Sequence, residues 1–210
     1  MSNNGLLIVL EGMDGSGKSL LANKLHQELV EQNNDVILTF EPGDTTLGKK
    51  LRKILHEEKD NVCDLSEYLL FAADRAQHFE KLIIPALKKN KIIISDRMND
   101  SSVAYQGFGR NLDIEMIKKV NQWSMKNIQP DLIFYLEIDI DTAMKRIFKR
   151  NEKLTSFEKE KLEFWKKVIT GYNTIYKDKK NVIKLDATLT PNQVFKNAME
   201  VLSSKLQHLY

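Results

Sequence analysis

Gly12-Met13-Asp14-Gly15-Ser16-Gly17-Lys18-Ser19 satisfies the pattern G-x-x-x-x-G-K-[ST]. Glycines let the backbone curl until successive N–H groups face one anion-sized hollow, and a helix starting behind them adds its partial positive charge. In such a loop Lys18 can reach the β- and γ-phosphates of a nucleoside triphosphate, and the Ser19 hydroxyl can join the shell of a Mg²⁺ ion. The cationic head of Lys18 is expected to be solvated, so that its loss would cost phosphate chemistry and spare the fold. Phe71 and Arg75, spaced i, i+4, would put an aromatic plane and a donor fork on one helical face. That pair can stack on a base and donate to a carbonyl, although an isolated Phe is more often core. Ser102 and Gln106 repeat the spacing and could read a base edge. A phosphate loop by itself serves GTPases, motor ATPases and small-molecule kinases alike, so the second site must decide the reaction.

These residues need a scaffold, and the chain alternates in a way that supplies one. Apolar, β-favouring runs recur at Leu6–Leu10, Val36–Phe40, Ile92–Ser95, Leu132–Ile138 and Val182–Asp186. Continuous runs of this kind suit strands buried on both faces. Between them lie helical stripes: Leu21, Leu25 and Leu29; Leu65, Leu69, Ala73 and Ala76; Ile114, Ile117 and Trp123; Leu162, Trp165, Ile169 and Tyr172. The alternation predicts an α/β fold of three layers, a five-stranded parallel sheet flanked by helices, with the phosphate loop directly after its first strand. Asp64-Leu-Ser-Glu67 reads as a capping box opening a helix from Leu65 to about Lys89, which Pro85 would end or kink. The polar stretch Lys145–Lys161 reads as a solvated surface with a loop at Asn151–Ser156.

At 210 residues, with no internal repeat or low-complexity linker, one domain over residues 1–210 is expected. Hydrophobic residues make up 42% and charged residues 29%, the composition of a soluble globular chain. A net charge of +3 is too small to argue for a nucleic-acid partner. Cys63 is the only cysteine, so no internal disulfide can form, and a cytoplasmic location is the expectation. Neither a targeting segment at Met1–Gly5 nor an apolar run of membrane-spanning length is visible.

The phosphate loop with Glu11 before it, then Glu41-Pro42-Gly43, Leu47-Gly48 and Leu51-Arg52, resembles thymidylate kinase in its bacterial form. The resemblance continues through Leu70-Phe71, Asp74-Arg75, His78, Asp96-Arg97, Ser101-Ser102, Ala104-Tyr105-Gln106-Gly107 and Asp186-Ala187-Thr188, in the family's order. It implies transfer of the γ-phosphoryl group of ATP to dTMP with Mg²⁺, in a homodimer packed through long helices. By the same match Arg52 and Arg97 would hold the acceptor 5′-phosphate, where a planar guanidinium suits bidentate contact. Asp14 would meet the sugar 3′-hydroxyl, Phe71 would stack on thymine, and Arg75 would donate to its carbonyl. Ser102 and Gln106 would read the base, with Tyr105 beneath the sugar, and Glu41 and Pro42 would border the acceptor. Asp96 would stand beside Mg²⁺ or, in the plainer alternative, cap a helix. Glu11 divides evenly between a site role and a structural bond to the loop backbone. The ATP side would comprise residues 12–19, Arg146 and Ala187.

One departure from the family stands out. Its members place a catalytic Arg either in the phosphate loop, where Gly15 stands here, or in a lid spanning about residues 145–160. The lid reads Thr155-Ser156-Phe157-Glu158 and lacks the Arg expected before its aromatic residue. Arg146, Arg150, Lys149 and Lys153 remain, with Arg150 preferred for catalysis and Arg146 shared between that task and stacking on adenine. Another P-loop nucleotide or deoxynucleoside kinase is the nearest alternative. Arginines gathered around an already charged acceptor favour a monophosphate, and no Asn-Lys-x-Asp guanine signature stands out to support a GTPase.

Overall fold

A computed structural model describes residues 5–57, 62–150, 154–155, 157–158 and 160–207 of the chain. Residues 1–4, most of the expected loop at 151–156, Lys153 and Ser156 fall outside that set. Five strands, β1 (Leu6–Glu11), β2 (Val36–Phe40), β3 (Ile92–Asp96), β4 (Leu132–Glu137) and β5 (Val182–Asp186), form one parallel sheet in the order β2-β3-β1-β4-β5. All five expected strands form. β1 and β3 each run one residue further than expected, to Glu11 and Asp96, and β4 stops one residue short of Ile138.

The apolar runs of β1, β3 and β4 are buried on both faces because helices flank the sheet, while the edge strands β2 and β5 are only partly covered. The helices are α1 (Lys18–Glu31), α2 (Thr46–Glu57), α3 (Asp64–His78), α4 (Ile84–Leu87), α5 (Asn99–Ser102), α6 (Ile114–Ser124), α7 (Ile140–Lys149), α8 (Leu162–Tyr176) and α9 (Pro191–Gln207). α1 and α9 touch, while α3, α6 and α8 gather around a π-helical segment, Val103–Gly109, that continues α5. The sheet order reverses beside β1, so the carboxyl ends of β1 and β3 open onto a crevice at the switch point.

The helix predicted from Leu65 to Lys89 forms in three pieces. α3 passes into a π-turn, Phe79–Ile83, in which the Ile84 N–H bonds the Phe79 carbonyl five residues back. α4 then carries Pro85, which lacks a donor and is absorbed just after the widened turn instead of stopping the helix. The capping box is absent. Cys63 occupies the N-cap without a side-chain bond to the first backbone N–H groups, and Glu67 turns inward to accept from Gln106 Nε2 at 2.8 Å.

One of the apolar stripes points the other way, and a second keeps Ile114 and Ile117 inward but loses Trp123 to the surface. On α3 the inward residues are Tyr68, Ala72, Asp74, Arg75 and His78, whereas Leu65 is 56% and Leu69 49% exposed and Ala73 and Ala76 face outward with them. On α6, Asn121 continues the inward row of Ile117 at i+4, and Trp123, near the opposite side at i+6, is 81% exposed. Polar side chains displaced the apolar ones from the interior because the site is built from them.

The α8 contact with Val103–Gly109 depends on Gly171. A β-carbon there would stand 3.0 Å from the Ala104 Cα and 2.9 Å from the Phe108 ring. Since backbone cannot yield as a side-chain end does, Gly171→Ala is expected to cost about 1–3 kcal/mol, read as a lower midpoint in urea unfolding.

Candidate active site

The chain leaves β1 at Glu11 and turns on left-handed glycines before delivering Lys18 and Ser19 as the first residues of α1. Gly15 has φ +79°, and a β-carbon on it would lie 2.5 Å from the Ala143 carbonyl oxygen. A loop-borne Arg is therefore sterically shut out, and any cation over the transferring phosphate has to come from elsewhere. Gly17 caps α1 without a side-chain bond, which leaves the first N–H groups directed at the crevice. Lys18 contradicts its sequence expectation: only 5% exposed, it donates to the Met13 carbonyl at 2.9 Å and reaches Ser16 Oγ at 3.5 Å. Burial pushes its ammonium down to about 8. Lys18 braces the loop, so its replacement disturbs loop shape as well as phosphate chemistry.

Ser19 Oγ donates to Asp96 Oδ2 at 2.5 Å, across the junction of α1 and β3. The other oxygen, Asp96 Oδ1, is buried with no hydrogen-bond partner among the described residues. That orphaned hard oxygen beside a hydroxyl suits a cation and does not suit a helix cap.

Arg97 follows at φ +71°, a conformation that costs a side-chain-bearing residue energy and is held by its surroundings. Its Nη2 reaches Asp14 Oδ1 at 2.5 Å and Tyr105 Oη at 3.2 Å; Nη1 donates to the Gly12 carbonyl at 2.9 Å and Ser101 Oγ at 3.0 Å. Burial alone would raise the Asp14 pKa, yet Arg97 and Lys18 hold its carboxyl below the usual range. Arg52, from α2, donates to the carbonyl of Pro42, which is joined to Glu41 by a cis peptide bond, at 2.7 Å.

Deeper in, Arg75 is 1% exposed and its donors are largely engaged by protein. Nε pairs with Glu41 Oε2 at 2.9 Å, Nη1 with Asn121 Oδ1 at 2.8 Å, and Nη2 with Ser102 Oγ at 3.0 Å and the Met98 carbonyl at 3.2 Å. Glu41 is in turn shared with His78 Nδ1 at 3.0 Å. Phe71 lies beside Arg75 as its i, i+4 spacing requires, with its ring centroid 6.1 Å from that of Phe157.

One cavity of about 650 Å³ joins these groups. Asp14, Gly15, Gly17, Lys18, Ser19 and Asp96 line one end; Phe71, Arg75, Ser102, Tyr105 and Gln106 line the other; Glu41, Pro42, Arg52, Arg97, Arg146 and Arg150 complete the wall. Gly12, Met13 and Ser16, though part of the loop, do not line this cavity. Ala187 is also off this wall, its side chain in the core and its N–H bonded to the Glu137 carbonyl at 2.9 Å. Arg150 pairs with Glu158, whose other oxygen accepts from the Thr155 N–H at 2.8 Å, so the preferred catalytic Arg is tied to its own lid. Sequence reasoning missed Tyr172, taken as part of an apolar stripe, and Asn121 and His56, which carried no signal beyond helical spacing.

The bonds that Glu11 makes run to α5 and α8 and not to the phosphate loop's backbone. Fully buried, Glu11 accepts from the Met98 N–H at 2.9 Å, the Ser101 N–H at 3.2 Å, Ser101 Oγ at 2.5 Å and Tyr172 Oη at 3.0 Å.

A parallel sheet in this order with a phosphate loop at its switch point defines the P-loop nucleotide-binding proteins, and the second, aromatic-walled compartment narrows the class to those acting on another small molecule. More particularly, the chain belongs to the thymidylate kinase family, whose model, "Thymidylate kinase", matches residues 10–198. It is 40% identical over 192 residues to the thymidylate kinase of Halothermothrix orenii, covering 90% of this chain and 92% of that one. To the thymidylate kinase of Acinetobacter baumannii strain SDF it is 42% identical over 203 residues, covering 94% and 100%. The crystal structure of thymidylate kinase from Ehrlichia chaffeensis superposes with a TM-score of 0.80 at 31% identity, over 94% of this chain and 98% of that one.

Burial, with Asp100 nearby, pushes the Glu11 carboxyl up to about 7. A carboxyl raised above its unfolded value of 4.5 binds its proton more tightly when folded, so stability falls as pH rises from about 4.5 through about 7. Glu11→Gln should remove that loss, and urea titrations at pH 5 and pH 8 should show a smaller difference for the variant than for the native chain.

Proposed function

We propose that the chain transfers the γ-phosphoryl group of ATP to the 5′-phosphate of dTMP, giving dTDP and ADP. One observation carries this reading: a single cavity runs from Lys18 and Ser19 to Phe71 and Arg75, so that a triphosphate on the loop and a base against Phe71 face each other along it. An acceptor phosphate oxygen attacks the γ-phosphorus as the bond to the β,γ-bridging oxygen breaks, and the protein forms no covalent bond. Arg97, fixed by Asp14 and Tyr105, meets the acceptor phosphate with Arg52. Lys18 neutralises the β- and γ-phosphates, and Arg146 or Arg150 supplies the remaining positive charge.

Ser19 and Asp96 would hold Mg²⁺, a fit supported by the orphaned Asp96 oxygen; the ion supplies charge neutralisation when bound. We assign the whole chain to one domain with a lid at about residues 145–160, acting in the cytoplasm without a nucleic-acid partner. Among the described residues no helix is long and apolar enough to cross a membrane. The outward stripe of α3, with Leu65 and Leu69, and the neighbouring α6, with Met116 and Trp123, supports a homodimer packed through these helices. Sedimentation at micromolar concentration should find a dimer that Leu69→Asp shifts towards monomer. A native monomer would contradict this assembly.

Arg75 can only donate, which suits the 4-carbonyl of thymine and opposes the 4-amino group of cytosine. One mismatched buried donor costs about 1–3 kcal/mol, so dTMP should be preferred to dCMP by roughly tenfold to a hundredfold, with dUMP between them. Replacing Arg75 would strand the buried Glu41 carboxylate, so the acceptor is varied instead. The kcat/KM values for dTMP, dUMP, dCMP and thymidine test the reading. Equal use of dCMP would sink it, and preferred use of thymidine would favour a deoxynucleoside kinase.

A further inference from the structure

Two side chains of the cavity wall keep buried polar atoms without a hydrogen-bond partner among the described residues, Asp96 and His56. Asp96 is accounted for by the cation site. His56 has no role so far, although both its Nδ1 and its Nε2 are shielded and unbonded. A neutral imidazole always carries one donor and one acceptor, and a site that leaves both unmade calls for a partner that the described residues do not supply.

The surroundings of the ring narrow the ligand group. His56 follows Arg52 by one turn of α2, so both side chains lie on one helical face and both line the cavity. On its far side the ring meets Phe157 edge-on, with centroids 6.5 Å apart and planes at 78°. The charged groups acting on it are Arg52 from its own helix, Asp14 from the phosphate loop, Glu158 from the lid and Arg97 from the end of β3. Arg52, Asp14 and Arg97 are the residues assigned above to the phosphate and sugar end of the acceptor compartment. Burial, and then Arg52, hold the imidazole below its ordinary range, which favours the neutral ring, and an arriving phosphate dianion can accept its N–H.

Resting on the assignment of this compartment to a nucleoside monophosphate, we propose that His56 is a further acceptor-binding residue, donating an imidazole N–H to the 5′-phosphate beside Arg52. The test compares dTMP with thymidine, which lacks that phosphate, by titration calorimetry on native chain, His56→Leu and His56→Gln. His56→Leu should weaken dTMP about tenfold, the worth of one charge-assisted hydrogen bond, and leave thymidine within about twofold. His56→Gln, which keeps an N–H donor, should recover part of the dTMP affinity. The melting temperature of His56→Leu should hold or rise, because two unbonded nitrogens leave the interior. Unchanged dTMP affinity, or equal losses for dTMP and thymidine, would overturn the role of His56 while leaving the acceptor compartment standing. A native chain that binds neither ligand would overturn both.

Discussion

The guanidinium of Arg97 ties together parts of the chain that are otherwise separate. It meets the Gly12 carbonyl and Asp14 in the phosphate loop, Ser101 in α5, Tyr105 in the π-helical segment and Tyr172 in α8. Its φ of +71° is tolerable because these contacts, with the Arg97 N–H on the Leu10 carbonyl at 2.9 Å, over-determine the backbone there. Glu11 performs a matching task one layer below, gathering Met98, Ser101 and Tyr172. Together they hold the donor-side loop and the acceptor-side helices in one register, and registration is most of what phosphoryl transfer asks of a protein.

The acceptor end follows the same principle with buried charge. Arg75 is oriented by Glu41, Asn121, Ser102 and the Met98 carbonyl, and Glu41 is oriented by His78. His78 Nε2 meets Thr39 Oγ1 at 2.7 Å, and that hydroxyl donates to Asp44 at 2.6 Å, so the network runs from the base-facing wall to the end of β2. A half-satisfied network of this kind would cost more than an apolar core, whereas a complete one fixes a single geometry. Burial and Glu41 push the nearby Asp74 carboxyl up to about 6, which lessens like-charge repulsion beside Glu41.

Strands and phosphate loop were legible because their signals are local: continuous apolar runs, glycines at fixed offsets, and a strand followed by a helix. The faces of α3 and α6 were not. Periodicity reports which residues share a side, and the rule that apolar means inward then chose Leu65, Leu69 and Trp123 over Asp74, Arg75 and Asn121. Interior positions held by charged groups can be recognised only when their partners, drawn from β2, α5 and α6, are seen beside them. Lys18 and Glu67 misled for the same reason, since local motif logic gave one a solvated head and the other a capping task. His56 was silent because nothing in its own stretch of sequence tells a surface histidine from one turned into a cavity.

Phe157 sits 5% exposed among Phe71, Tyr105 and His56. Withdrawing it would hydrate a ring of about 150–200 Å², and at about 0.45 cal/K/mol per Å² the withdrawn form would gain roughly 70–90 cal/mol/K in heat capacity. Cooling weakens apolar contacts, so Phe157 would be held less firmly against Phe71, Tyr105 and His56 in the cold than near the temperature at which such contacts are strongest.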